Sequence, residues 1–350
     1  MTEMGFRADP TTLPADPDPL WQGIARPHRA LLGVLGMVVA VETNSRSAAE
    51  WLAARFGRFE VPVRQAADFQ LTVLVGGPQA ADGAPIQAPF FRESDGLFAA
   101  GDGRGSVAVA ALDAGRAVAF LAGGINPGAV GPALIESPLW RFAGTRGLVA
   151  IHAAALAIRG VTFVLRGLGG AGKSTLAYAG VCAGHTLVAE EVTWWDPRTS
   201  PACLRGTSRT IRLERDALWM FPELGPQHDE SIDSSAAKLS VDMSAIPGTT
   251  LAEVAPVGPV VFVEIASGDR GTTLRPLSNE GAMARFEQTS ILGERTLHAA
   301  GRRAAYQDLI GHGAWALTVG RHAPRDAIAA LESLAVELGA PARLLSEIRM

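Results

Sequence analysis

Residues 167 to 175 read "GLGGAGKST" and fit the pattern G-x-x-x-x-G-K-[ST], with the apolar run "VTFVL" before them and the helix-like "KSTLAYAGVCAGH" at their end. Few short stretches restrict a fold more. A strand must deliver the chain into such a loop and a helix must leave it, since glycines turn successive backbone N–H groups inward to form an anion-holding nest. The helix N-terminus adds its partial positive charge. Gly167, Gly169, Gly170, Ala171 and Gly172 are the expected cradle, with Thr175 as its last residue. Lys173 would reach the β and γ phosphates of ATP or another phosphoryl donor, and Ser174 would place its hydroxyl on Mg²⁺. The plain alternative is an ordinary Gly-rich turn between strand and helix.

Composition argues against that alternative. Of 31 Lys and Arg residues only two are Lys, Lys173 and Lys238; the rest are Arg. Where a cation merely had to be solvated, this chain uses Arg. A phosphate loop instead needs a compact ammonium among phosphate oxygens, a role the planar guanidinium fills badly. The same scarcity marks Lys238 as a candidate contact to substrate or phosphate.

A length of 350 residues suits two domains better than one. The expected organisation is a flexible arm over 1–20, a smaller N-terminal α/β domain over 21–140 and a phosphate-loop domain over 141–350. In the first half, "LLGVLGMVVAVET" and "FQLTVLVGG" read as strands around a helix in "SRSAAEWLAARFG". Two β-rich runs around Asp113-Ala114-Gly115 suggest a hairpin, and "PALIESPLWRFAG" is helix-like. In the second half, "TLVAEEVTWW" is strand-like, and "TIRLERDALWMFPELG" combines a strand with a helix. "PVVFVEIASG" and "TTLRPLS" read as neighbouring strands joined through Gly268-Asp269-Arg270-Gly271. Helices over roughly 294 to 310 and 324 to 338 flank the strand "AWALTVG". The expected class is α/β with a partly antiparallel, mixed sheet. No internal repeat stands out.

The net charge of −4 and pI near 6.0 leave no cationic excess for nucleic acid. The acidic, Pro-rich N-terminus lacks the basic and apolar regions of a secretory signal, and no apolar run is long and unbroken enough to span a bilayer. The expectations are a cytoplasmic protein with no nucleic-acid or membrane partner. Cys182 and Cys203 form no metal or disulfide pattern.

The neighbours of the loop narrow its class. An LSGGQ-like signature of transporter ATPases and an NKxD base reader of GTPases are both absent from the sequence. Residues 151 to 192, "IHAAALAIRGVTFVLRGLGGAGKSTLAYAGVCAGHTLVAEEV", resemble the C-terminal kinase domain of HPr serine kinase/phosphorylases and the broader HPr-kinase-related group. That family has a His before the phosphate-loop strand, a G-x-x-G-x-G-K-S loop and a G-H-x-L-V-A-D-D segment. His152, Lys173 with Ser174, and "GHTLVAEE" stand at those places. The resemblance implies a P-loop kinase domain of the HPr kinase and phosphoenolpyruvate-carboxykinase-like type. It also implies ATP- and Mg²⁺-dependent phosphoryl transfer to a hydroxyl, with His152, Lys173, Glu190 and Glu191 as catalytic residues and Ser174 and Glu191 at the metal. The acceptor would be a Ser or Thr of a peptide or small protein, or a small metabolite. Homo-oligomers and a reverse, phosphorolytic activity are further implications. Two departures stand out: Glu190 and Glu191 replace Asp-Asp, which leaves the base unassigned between them, and the family's later HPr-recognition loop is missing.

Adjacent carboxylates suit phosphoryl transfer, because a cation can hold one ionised while the other takes the hydroxyl proton. On a regular strand the two would point to opposite faces, so a strand end or bulge is expected there. Arg209 and Arg212 in "RGTSRTIRL" are further phosphate candidates, and Trp194 and Trp195 read as packing residues, with stacking on a base as the alternative. Glu264 in "VVFVEIAS" supports a competing reading, a P-loop ATPase or nucleotide-dependent switch without an acceptor. A non-catalytic nucleotide-binding protein is a third.

Overall fold

The computed structural model describes residues 23–61, 66–79, 90–207, 209–227, 238–266, 271–290, 299–320 and 323–339. The expected arm over 1–20 lies outside them, as do Gly268, Asp269, Arg270 and residues 294–298. Two compact units divide the chain between Arg146 and Gly147. Each is mixed α/β.

The first unit is a seven-stranded sheet in the order β1-β2-β3-β7-β6-β5-β4. Its strands are β1 (His28–Val34), β2 (Met37–Thr43), β3 (Phe69–Gln79), β4 (Phe90–Ser94), β5 (Leu97–Gly101), β6 (Val107–Ala111) and β7 (Arg116–Gly123). The run read from sequence as one strand is a hairpin of β1 and β2. It turns at Leu35 and Gly36, both at positive φ (54° and 70°), and Gly36 is the one sign of that turn within an otherwise apolar run. The hairpin expected at Asp113–Gly115 joins β6 to β7. Ser45 caps helix α1 (Arg46–Phe56) by accepting the Ala48 N–H. Helical residues from α2 (Pro127–Gly131) to α3 (Ser137–Thr145) close the unit, and Phe142 stacks on Phe69 at 4.7 Å.

The second unit holds the glycine loop. Its main sheet runs β16-β11-β9-β10-β18-β20-β19. The members are β9 (Ala154–Ile158), β10 (Val161–Arg166), β11 (Thr186–Ala189), β16 (Thr250–Leu251), β18 (Val260–Ile265), β19 (Thr273–Pro276) and β20 (Ala314–Val319). β10 pairs antiparallel with β9 and parallel with β18, which makes the sheet mixed. β18 and β19, expected to be neighbours, are separated by β20, which pairs parallel with one and antiparallel with the other. The parallel step needs a crossover, supplied by α6 (Asn279–Thr289) and α7 (Ala299–Gly311). α8 (Pro324–Glu337) follows β20.

Both faces of this sheet are covered, so β10 reads as a continuous apolar run rather than an alternation. Phe163 and Leu165 pack toward α4 (Lys173–Cys182), α8 and a hairpin of β14 (Thr210–Glu214) with β15 (Lys238–Asp242). Val164 packs toward α6, α7 and a four-stranded sheet of β17 (Val254–Pro256), β13 (Cys203–Arg205), β12 (Thr193–Asp196) and β8 (Val149–Ile151). Among the described residues no helix is long and apolar enough to cross a membrane.

Candidate active site

β10 ends at Arg166 and the chain enters the loop at Gly167, where a Cβ would stand 2.7 Å from the Val263 carbonyl oxygen. Only glycine fits that approach. Gly170 and Gly172 hold φ of +77° and +89°, and no atom lies within 4 Å of a Cβ built on either. Both positions take a left-handed backbone that favours glycine, and the space beside them is open. α4 starts at Lys173 without any side-chain cap, which leaves its first N–H groups for the loop's contents.

Lys173 Nζ donates to the carbonyls of Gly167 (2.8 Å) and Leu168 (3.1 Å). Burial lowers its pKa from the ordinary value, the Arg166 guanidinium lowers it further, and Glu190 and Glu191 oppose both. Ser174 Oγ donates to Glu190 Oε1 at 2.6 Å. Glu190 is buried, and desolvation raises its pKa above the usual carboxylate value, with Ser174 and Arg212 pulling the other way.

Glu190 and Glu191 lie beyond the last residue of β11, where the chain leaves the main sheet and enters β12 of the four-stranded one. The stretch read as one strand is thus two strands in two sheets. Released from strand alternation, the carboxylates take different surroundings: Glu190 turns to Ser174, while exposed Glu191 pairs with Arg212. It is Glu190, and not Glu191, that meets the serine expected at the metal.

A cavity of about 870 Å³ takes in His152, Gly169 to Thr175, both carboxylates, Arg212 and Lys238. His152 sits half-buried between β8 and β9, and its carbonyl accepts from Arg166 Nη1 at 3.4 Å. Lys238 pairs with Glu214 at 3.1 Å. Arg209 does not line this cavity and is bound instead to Asp242 at 3.0 Å. Gly167 lies on the other flank of the loop, beside a second cavity of about 330 Å³ that also holds Glu264 and Arg285. Those two form an ion pair. Trp194 and Trp195 are buried in the four-stranded sheet.

Sequence reasoning missed two residues. Arg166 is fully buried, donates from Nε to Thr289 Oγ1 at 2.8 Å, and lies over the rings of Phe286 and Tyr306. Its signal was a charge closing the apolar "VTFVL". Trp219, in α5 (Ala217–Met220), lines the main cavity with 88% of its surface exposed, and only its neighbourhood in space reveals it.

The residues present fit a nucleotide and Mg²⁺. The open glycine nest matches a phosphate chain. The hydroxyl and carboxylate of Ser174 and Glu190 are hard oxygen donors of the kind Mg²⁺ takes, one or two from protein and the rest from phosphate and water. Among the described residues no cluster of three or more His, Cys, Asp or Glu forms a metal cage.

No family model matches this chain. No curated protein matches it either. Among solved structures, the HPr(Ser) kinase/phosphatase from Coxiella burnetii matches over 54% of this chain and 88% of its own, with 12% identity and a TM-score of 0.30. That is a weak, fold-level relation.

Proposed function

We propose that this chain is an ATP- and Mg²⁺-dependent kinase that transfers the γ-phosphoryl group to a hydroxyl of a peptide, a small protein or a small metabolite. Lys173, Ser174, Glu190 and Glu191 share one cavity at the end of the glycine loop, and this grouping carries the proposal. Ser174 and Glu190 would hold Mg²⁺, which when bound offsets phosphate charge. Lys173 would exchange its two loop carbonyls for phosphate oxygens, whose negative charge favours the ammonium form. His152 would contact the γ-phosphate from the wall of the same cavity. Arg212 pairs with Glu191 in the same cavity. As the acceptor oxygen bonds to the γ-phosphorus and the bond to the β–γ bridging oxygen breaks, the hydroxyl proton passes to Glu191, leaving ADP and a phosphate ester.

A hydrolytic switch built on Glu264 has less support, since that side chain lines the other cavity, apart from Lys173 and Ser174. The test is γ-labelled ATP with wild type, Glu190→Gln and Glu191→Gln in a lysate of the source organism. Glu191→Gln is expected to lower kcat by about 100-fold with nucleotide affinity unchanged, and Glu190→Gln to raise the Mg²⁺ requirement. Two variants as active as wild type would sink both assignments. Label found only as free phosphate would favour hydrolysis.

A further inference from the structure

We infer that Trp219 is the stacking platform for the nucleobase and sets the preference of this site for a nucleotide over a bare phosphate chain; this rests on the nucleotide reading above. An indole left 88% exposed is unusual for so large an apolar group, and this one forms part of a cavity wall. Its backbone is anchored on both sides. On either side of it, Ala217 in α5 and Phe221 just after α5 are buried, the Phe221 N–H donates to the Ala217 carbonyl at 2.9 Å, and the Phe221 ring meets Tyr178 of α4 edge-on at 4.7 Å.

Two routes along the chain separate the indole from the groups assigned to transfer. Along α4, the loop's phosphate end is Lys173, whereas α5 is anchored five residues further on, at Tyr178. Along β14, the chain runs from Arg212 on Glu191, through Glu214 on Lys238, to the turn that carries Trp219. With the γ-phosphate at Lys173 and Glu190, the nucleoside end of the donor would run toward Trp219, which lines the same cavity. Met220 and Pro324 add apolar wall in the same cavity. A flat aromatic face beside apolar wall suits a base, which offers a π-face whatever its edge groups. Because stacking reads no edge, the site is expected to take purine nucleotides with little discrimination between adenine and guanine.

The experiment is equilibrium binding of Mg-ATP and of Mg-tripolyphosphate, which lacks a base, to wild type, Trp219→Ala, Trp219→Phe and Lys173→Ala. Trp219→Ala is expected to weaken ATP on the order of tenfold and leave tripolyphosphate unchanged, and Trp219→Phe to retain most of the affinity. Indole emission should respond to ATP in wild type and lose that response in Trp219→Phe. Equal loss for both ligands, no loss for ATP, or a wild type that binds the two alike overturns the inference. So does an unchanged ATP affinity with a raised acceptor KM, which would give the indole to the acceptor instead. If Lys173→Ala weakens ATP while Trp219→Ala does not, only the base platform fails. A wild type that binds neither ligand overturns the nucleotide reading as well.

Discussion

The glycine loop has two flanks, each with a cavity and each with a glutamate that sequence alone could place in catalysis. On one flank Glu190 is buried against Ser174, with Lys173 in the same cavity. On the other, Glu264 is exposed and bound to Arg285. A solvated carboxylate that already has its cation gains little from a metal ion. A buried carboxylate beside a hydroxyl, its pKa raised by desolvation, gains a great deal from one. Burial and partner distinguish Glu190 from Glu264, whereas exposed Glu191, itself paired with Arg212, is distinguished only by the cavity it shares with Lys173.

Lys173→Ala tests this contrast most severely. Turnover with Mg-ATP is expected to fall by at least about 100- to 1000-fold, the scale for removing a preorganised charge-stabilising donor. A variant within tenfold of wild type would move the phosphate site off this flank.

A smaller effect comes from titration. The folded-state pKa of Glu190 lies above its ordinary 4.5, so the folded chain holds this proton more tightly than the unfolded one. Its contribution to stability is present below 4.5 and declines as pH rises from there through the raised value. Thermal denaturation across that window should show the decline in wild type and lose it in Glu190→Gln. Identical pH profiles would mean that Glu190 is not desolvated in the folded chain.

The smallest effects are expected from ion pairs outside the main cavity. Glu264→Gln and Arg209→Ala each remove one side of a partly exposed pair, worth about 0–1 kcal/mol. Both should keep turnover within about twofold of wild type. A loss in Glu264→Gln comparable to that of Lys173→Ala would reverse the comparison and revive hydrolysis.

What was legible in the sequence follows from the range of the forces involved. The strand, loop and helix around Lys173 could be read because backbone turning and helix initiation are local, as could the β6–β7 hairpin and the helices after β14 and β20. The β1–β2 turn at Leu35 was hidden because an apolar residue rarely takes positive φ. The insertion of β20 between β18 and β19 was hidden because strand order depends on packing across the whole sheet. Within the site, "AEE" announced two carboxylates, yet their unlike surroundings arise where the chain changes sheets.

By itself, the sequence determined that a glycine nest stands between a strand and a helix, with a lysine kept in a chain that otherwise uses arginine. Only the tertiary structure decided that Glu190 and not Glu191 meets Ser174, that Arg209 and Glu264 serve other ion pairs, and that Arg166 and Trp219 flank the loop and cavity. The physical reason is that burial and charge pairing are set by neighbours distant in sequence, whereas the turn of a glycine loop is set by the loop itself.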